Sequence, residues 1–156
     1  MIRVDIPGRG ELNLQHLVLD YNGTIAFDGS LIKGVNQELN QLAAVLNIYV
    51  ITADTFGTVR QKCSKIQGEI KVLSNTDDTK EKEEFIDSLG ATNVVAIGNG
   101  VNDSLMLKKA ALSIVVIGRE GAAPLTIKEA DIVVNNIHDA LGLLSNKLRI
   151  KATLRA

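Results

Sequence analysis

The stretch Asp20-Tyr21-Asn22-Gly23-Thr24 decides how this chain is interpreted, because it joins a buried strand to a sharp turn. It follows the apolar run Leu17-Val18-Leu19, which has the length and composition of a short buried strand. Gly23 then interrupts the pattern, as a glycine does where the backbone turns sharply. In an open α/β sheet, an aspartate at the carboxyl end of a strand is well placed to bind a ligand, although Asp followed by Gly-Thr also occurs in ordinary turns.

After this stretch, further apolar runs predict five more strands, and segments with helical spacing lie between them. The strands are expected at 48–51, 70–73, 94–97, 114–117 and 132–134. The helices are expected at 34–46, 56–66, 78–89, from 103 onward, 122–129 and 138–144, with Asp78 and Glu81 as a capping box. This alternation predicts a parallel sheet with helices on both faces, a three-layer, Rossmann-like α/β fold.

The remaining segments frame this sheet within a single domain over residues 1–156. Apolar and polar residues alternate over 1–15 around a Pro-Gly turn, which predicts an N-terminal β-hairpin. Residues 25–33 are compatible with a small hairpin or flap. Residues 145–156 are basic, and we expect them to form a tail on the surface.

Composition excludes several classes of protein. The chain has 156 residues, is 46% hydrophobic and carries a net charge of -1 with interleaved signs, which argues against a nucleic-acid surface. Aromatic residues make up only 3%, so base-stacking platforms are not expected. Cys63 is the single cysteine and can form neither an intramolecular disulfide nor a zinc cluster. No apolar stretch approaches ~20 residues, so we expect a cytoplasmic protein without a membrane partner.

Five polar side chains fall at carboxyl ends of predicted strands or in the turns just after them: Asp20, Thr52, Asn99, Asn102 and Asp103. A parallel sheet gathers these ends at one edge. Two carboxylates ~4 Å apart repel by about 4 kcal/mol at an effective dielectric of 20, so they need a cation between them or a shared proton. Oxygen ligands of this kind suit Mg²⁺.

Each of these residues also has a purely structural interpretation. Thr52 could simply end a strand, Asp103 could be an N-terminal helix residue favoured by the dipole, and the two asparagines could form turns. Taken singly, each is more easily explained in that way. Their occurrence at consecutive strand ends favours a functional site.

Lys82 is the candidate cation for this site. It precedes Phe85 and Ile86 by three and four residues and so continues their helix face, whereas Lys80 does not. If the apolar stripe packs on the sheet, Lys82 points toward the sheet edge. The alternative is a solvated lysine within the charged cluster at 80–84.

In this order, the motifs resemble those of the haloacid dehalogenase (HAD) superfamily. Asp20-Tyr21-Asn22-Gly23-Thr24 is similar to its nucleophile motif, and Thr52 and Lys82 are similar to its second and third motifs. Gly98-Asn99-Gly100-Val101-Asn102-Asp103 is similar to the fourth, and the pattern is nearest to the phosphorylation domain of P-type ATPases. The resemblance runs from about Leu17 to Leu144.

The resemblance implies roles for the matching residues. Asp20 is expected to attack a phosphoryl group, with Thr52 and Lys82 holding phosphate oxygens. The expected substrate-binding set is Asn22, Gly23, Thr52, Ala53, Lys82 and Asn102. The expected ligands of a Mg²⁺ cofactor are Asp20, the carbonyl of Asn22, Asn99 and Asp103. The substrate is expected to be a small phosphorylated molecule.

The chain departs from the family pattern at two positions. Most family phosphatases have an aspartate at the place of Asn22, where it serves as general acid and base, and an amide cannot do that work. The first aspartate of the fourth motif is replaced by Asn99, which weakens metal binding and shifts the metal role toward Asp103.

The segments flanking Thr52 leave no room for the family's cap domains, so the resemblance implies a capless protein whose site is closed by an oligomer partner or a large substrate. The leading hypothesis is therefore a Mg²⁺-dependent phosphohydrolase or phosphotransferase. The alternative is a phosphate- or metal-responsive binding protein with little turnover. A dinucleotide-binding domain is disfavoured, because Gly98-Asn99-Gly100 lacks the third glycine at the required spacing.

Overall fold

A computed structural model of the protein describes residues 1–54, 57–74 and 77–156. The strands are β1 (Ile2–Ile6), β2 (Gly10–Leu14), β3 (His16–Asp20), β4 (Ala26–Phe27), β5 (Ser30–Leu31), β6 (Asn47–Thr52), β7 (Glu69–Val72), β8 (Val94–Gly98), β9 (Leu112–Val116) and β10 (Ile132–Val134). The helices are α1 (Val35–Leu42), α2 (Thr58–Lys62), α3 (Asp78–Leu89), α4 (Ser104–Lys109), α5 (Pro124–Glu129), α6 (Ile137–Ser145) and α7 (Lys147–Leu154).

Six strands form one parallel sheet in the order β10-β9-β8-β3-β6-β7. The β1–β2 pair is the predicted antiparallel hairpin, and β4 and β5 form a short antiparallel flap after the Asp20 turn. The predicted α/β class, sheet and hairpins are therefore confirmed. The helix start expected at Phe56 lies outside the described residues.

The central strand β3 is buried on both faces, which explains its continuous apolar sequence. Leu17 and Leu19 belong to the core shared with α1, α2, α6, α7 and the β1–β2 hairpin. Val18 faces the opposite core, which it shares with Ile86 of α3. Since side chains alternate along a strand, Asp20 projects to the same side as Val18. The sheet therefore directs Asp20 toward α3.

The first turn of α3 differs from the expected capping box. Asp77 is the N-cap, and its Oδ1 accepts a hydrogen bond from the Lys80 N–H at 3.1 Å. Glu81 accepts from the Ser74 N–H at 3.0 Å instead of closing a box with Asp78. The prediction of Asp78 as the cap was therefore wrong, since the two consecutive aspartates allow either register.

The basic segment at the end of the chain lies on the surface, and most of it is helical. Residues Lys147–Leu154 form α7, in which Ile150 is fully buried in the core beside the β1–β2 hairpin. Lys147 Nζ donates to the Arg3 carbonyl at 2.9 Å, and the Ala156 N–H donates to the Pro7 carbonyl at 3.1 Å. Most side chains of 145–156 are exposed, as expected for a surface segment, but the segment is a helix that one apolar side chain anchors to the core.

Two features of the connections bear on the site. Within the described residues, only the β4–β5 flap lies between β3 and α1, which agrees with a capless arrangement. Over the same residues, no helix combines the length and the apolar character needed to cross a membrane.

Candidate active site

The sheet brings predicted site residues from three neighbouring strands and their turns to one edge. β3 pairs with β6 on one side and with β8 on the other, so Asp20, Thr52 and the turn after Gly98 lie next to one another. Because strands in a parallel sheet end together, this juxtaposition follows directly from the topology.

Lys82 lies at the centre of this group, as its helix position predicted. Its Nζ donates to Asp20 Oδ1 at 2.8 Å and to Asp103 Oδ1 at 2.7 Å. The lysine is 1% exposed, whereas Lys80 is exposed and pairs with Glu83 of its own helix at 2.8 Å. The ammonium is thus the cation that two neighbouring carboxylates require.

The two carboxylates differ in what they can reach. Asp103 Oδ1 accepts from Lys82, and Asp103 Oδ2 accepts from the backbone N–H groups of Asn99 and Gly100 at 2.9 and 3.0 Å. Asp103 is fully buried, whereas the side chain of Asp20 keeps 10% of its area exposed. Asp20 can therefore meet a ligand, while Asp103 holds the lysine and the loop after β8.

Electrostatics at the cluster reflect its burial. Burial and the neighbouring Asp103 charge raise the pKa of Asp20 to about 7, against the opposing effect of Lys82. Burial acts to lower the pKa of Lys82, but the charges of Asp20 and Asp103 outweigh it and raise that pKa to about 12. Lys82 therefore remains a cation, and a further positive charge near Asp20 would favour the ionised carboxylate.

The Gly23 turn packs tightly against the loop after β8. Gly23 has φ +77°, and a Cβ placed on it would lie 2.3 Å from Asn99 Nδ2. The buried Thr24 hydroxyl donates to Asn99 Oδ1 at 3.2 Å, and Asn99 Nδ2 donates to the Gly121 carbonyl at 3.1 Å. These two bonds fix the orientation of the Asn99 amide, and a larger residue at 23 would displace it.

Asn99 and Asp103 are the two side chains after β8 whose oxygens could hold a hard divalent cation. Asn99 Oδ1 accepts one hydrogen bond and, as a carbonyl oxygen, has a second lone pair available. Asp103 Oδ2 accepts two hydrogen bonds, whereas Asp103 Oδ1 accepts only the one from Lys82 and keeps a second lone pair, so Asn99 Oδ1 and Asp103 Oδ1 both remain candidate donors to a metal. Across 1–54, 57–74 and 77–156, no three His, Cys, Asp or Glu side chains form a metal-binding group.

The other predicted residues have mixed placements. Thr52 is buried, and its Oγ1 accepts from the Asp54 N–H at 3.1 Å. Asn22 and Ala53 are exposed at the mouth of the site. The Gly23 N–H donates to the Ala26 carbonyl at 3.0 Å, so it is engaged in the turn rather than free for phosphate.

Asn102, a member of the predicted substrate-binding set, pairs with a residue of α3. Its Nδ2 donates to Asp78 Oδ2 at 2.7 Å, which ties the loop after β8 to the first turn of α3. This pairing could not be predicted from the sequence, because it depends on how two elements that are distant along the chain meet. Gly98 was also missed as a contact: a Cβ there would lie 2.5 Å from Asp103 Oδ2, so only glycine allows the loop to wrap around that carboxylate.

A pocket of about 390 Å³ opens beside the turn that follows Asp20. Its lining includes Asn22, Ala53, Asp54 and Lys62, and Lys62 Nζ donates to the Gly29 carbonyl of the flap at 2.5 Å. Two predicted substrate-binding positions thus share this polar opening. A larger cavity lies on the other side of Gly23 and includes neither Asp20 nor Lys82.

Comparison with known proteins agrees with this architecture. No protein-family model matches the chain. An uncharacterized protein of Methanocaldococcus jannaschii is 60% identical over 62 residues, which make up 40% of this chain and 67% of that protein.

Similar solved structures come from two groups. A 3-deoxy-D-manno-octulosonate 8-phosphate phosphatase from Moraxella catarrhalis, in complex with magnesium, phosphate and KDO, has a TM-score of 0.69 at 16% identity, covering 91% of this chain and 94% of that one. A HAD superfamily (subfamily III A) hydrolase from Legionella pneumophila has a TM-score of 0.70 at 18% identity, with coverages of 90% and 87%. The catalytic domain of the CPx-ATPase CopB-B has a TM-score of 0.57 at 26% identity and covers 74% of this chain and 46% of that one.

Proposed function

The chain belongs to one family with the M. jannaschii relative and has the fold of the HAD superfamily, and from this premise we propose that it catalyses Mg²⁺-dependent phosphoryl transfer or hydrolysis through an aspartyl phosphate on Asp20. The structures that resemble the chain include several phosphatases, which supports a phosphohydrolase at the level of the superfamily.

The observation that carries the proposal is the buried bridge from Lys82 to Asp20 and Asp103 at 2.8 and 2.7 Å. Buried charges of this kind contribute little to stability, because desolvation offsets their attraction. Perturbed carboxylates in such surroundings concentrate at functional sites. The accessible member, Asp20, is the last residue of the central strand, at the end of the sheet where ligands bind in folds of this class.

The chemistry assigned to Asp20 is nucleophilic. A carboxylate oxygen of Asp20 forms a bond to phosphorus, and the bond from phosphorus to the leaving-group oxygen breaks with its electron pair going to that oxygen. Water then attacks phosphorus, the aspartyl carboxylate is released, and a water proton passes to solvent. Lys82 stays charged and offsets negative charge beside the carboxylate throughout.

A divalent cation fits the donors that remain at this edge. Asp20, the Asn22 carbonyl and Asn99 Oδ1 would hold it, and Asp103 would keep the supporting loop in place. When bound, Mg²⁺ would neutralise charge on the transferring phosphoryl group. The phosphatase from M. catarrhalis contains magnesium and phosphate, which supports the same choice here.

Asn22 bears on the class of substrate. It lines the 390 Å³ pocket, where the leaving group of a small phosphorylated substrate would lie, and an amide cannot donate a proton to that group. Leaving groups that are already weak bases, such as carboxylates and nitrophenolates, need no proton. We therefore infer a preference for acyl phosphates and activated esters over sugar phosphates.

A second candidate function follows from the same residue. Positions 22 and 99 both carry asparagine, so the site has no general acid or base at position 22 and a neutral ligand at position 99. Such a site could bind phosphate and metal while hydrolysing its substrate slowly. The chain would then act as a binding or regulatory protein.

We further place the protein in the cytoplasm, without nucleic-acid or membrane partners, and expect an oligomer partner or a large substrate to close its open site.

The test is hydrolysis of p-nitrophenyl phosphate and acetyl phosphate with and without Mg²⁺, comparing the wild type, Asp20→Asn and the exposed control Asp5→Asn. We expect Mg²⁺-dependent turnover in the wild type and in Asp5→Asn, and at least a hundredfold loss in Asp20→Asn. Negligible turnover, together with thermal stabilisation of the wild type by Mg²⁺ and beryllofluoride, would favour the binding protein. No turnover and no stabilisation would contradict both functions.

A further inference from the structure

A cavity of about 500 Å³ lies beside the nucleophile turn, on the side away from the polar pocket. Three segments form its walls: the β4–β5 flap, the loop at 118–120 after β9, and the start of α6. Gly23 and Thr24, in the turn after Asp20, complete the lining of the cavity. Its volume lies within the range of small-molecule sites, roughly 300–1,000 Å³.

This cavity is distinct from the candidate phosphate site. None of Asp20, Thr52 and Lys82 lines it. The Gly23 N–H is already donated to the Ala26 carbonyl. A ligand here would occupy a second site.

The walls of the cavity are mainly apolar. Phe27 and Leu31 contribute from the flap, Val116 from the end of β9 and Ile137 from the first turn of α6. A ligand that fills this space therefore needs an apolar body, since burying polar groups against these side chains would cost free energy.

Two cations at the cavity set the charge of the ligand. The Arg119 guanidinium lies 4.1 Å from the centre of the Phe27 ring, and Lys33 is exposed on the flap side. Neither forms a salt bridge with any residue of the described ranges. Glu120 is the opposing charge, and His138 is already bonded to Glu38 at 2.6 Å. The net positive charge of these side chains favours a ligand that carries a single negative charge.

We propose that this cavity binds an apolar organic monoanion, such as an aromatic or medium-chain carboxylate, independently of the phosphate site. The apolar body lies against Phe27, Leu31 and Ile137, and the carboxylate lies between Arg119 and Lys33. The proposal does not depend on whether Asp20 is catalytic.

The first arm of the test compares a matched pair of probes by calorimetry on the full chain. 1-Naphthoate carries the charge, and 1-naphthalenemethanol has the same ring system without it. We expect one molecule of naphthoate to bind per chain, at least tenfold tighter than the alcohol. Equal affinities, or no saturable binding of naphthoate, would overturn the proposal.

The second arm locates the binding. The exposed double variant Lys33→Glu with Arg119→Glu should weaken naphthoate binding at least tenfold, whereas the control pair Lys108→Glu with Arg155→Glu should change it less than twofold. Asp20→Asn should bind as the wild type does. Equal losses in both double variants, or loss of binding in Asp20→Asn, would contradict a separate site.

Sedimentation on the same samples separates a small ligand from a second copy of the chain. We expect the wild type and the Lys33→Glu, Arg119→Glu variant to have the same oligomeric state. If the wild type self-associates and only that variant dissociates, this face is an interface between copies and the ligand proposal is wrong.

Discussion

At the scale of single residues, Lys82 organises the site, because it is the buried cation shared by Asp20 and Asp103. Its orientation could be predicted from sequence, since it lies one helical turn before Ile86, which is fully buried. The partner of Asn102 could not be predicted, since Asp78 reaches it from another element. Spacing along one helix determines direction, whereas pairing between elements depends on tertiary packing.

Replacing Lys82 should strongly destabilise the protein even without metal. Lys82→Met leaves two buried carboxylates without a cation, and breaking a buried pair typically costs about 3–5 kcal/mol. Lys80→Ala, which removes only an exposed pair, should change the free energy of unfolding by less than ~1 kcal/mol. Urea unfolding in the presence of a chelator measures both. Equal losses in the free energy of unfolding would show that Lys82, like Lys80, is exposed rather than buried between the two carboxylates.

A change at Asn22 should alter selectivity rather than stability. Asn22→Asp introduces a general acid at an exposed position beside the pocket, and such acids contribute about 10²–10⁴-fold. We expect kcat/KM for an alkyl phosphate to rise by at least tenfold more than kcat/KM for acetyl phosphate. If the wild type already uses both classes equally and the variant shows no selective gain, another group supplies the proton.

At the scale of elements, α3 decides whether Lys82 meets the sheet edge, and its N-terminal cap sets its register. The Asp77 carboxylate accepts a hydrogen bond from the Lys80 N–H at 3.1 Å, and the Asp78 carboxylate accepts one from Asn102 Nδ2. The existence of α3 and its buried face were predictable from the spacing of its apolar residues. The cap was not, because adjacent aspartates satisfy the same local pattern and only the preceding backbone distinguishes them.

Removing the cap should weaken this helix measurably. Asp77→Ala should lower the free energy of unfolding by about 1 kcal/mol, the usual contribution of an N-cap. Asp87→Ala provides the control, since Asp87 lies near the other end of α3 in an exposed pair with Lys109. Its effect should remain within ~0.5 kcal/mol. If Asp77→Ala leaves the free energy of unfolding unchanged, Asp78 rather than Asp77 is the N-cap.

At the scale of the whole molecule, the two ends of the chain close one side of the sheet together. α7 packs near the β1–β2 hairpin, with the Ala156 N–H bonded to the Pro7 carbonyl. The parallel sheet was predictable because buried strands are continuous apolar runs. The contribution of the last twelve residues was not, because a single fully buried side chain, Ile150, carries no periodic signal among lysines and arginines.

Truncating Ile150 tests this closure. Ile150→Ala should cost about 2–5 kcal/mol, as for a large aliphatic side chain removed from a core. Leu148→Ala removes a side chain of the same helix that is 67% exposed, and it should change stability by less than ~0.5 kcal/mol. Chemical denaturation of the two variants gives the comparison. Equal costs would mean that α7 does not pack on the core through Ile150.

The claim that Asp20 carries a phosphoryl group can be checked by intact-protein mass spectrometry after incubation with acetyl phosphate and Mg²⁺. Because Asn22 cannot activate water, the intermediate should persist long enough to be observed. We expect the wild type and Asp5→Asn to gain the mass of one phosphoryl group, hydroxylamine to remove it, and Asp20→Asn to gain none. An adduct that persists in Asp20→Asn, or no adduct in the wild type, would contradict the claim.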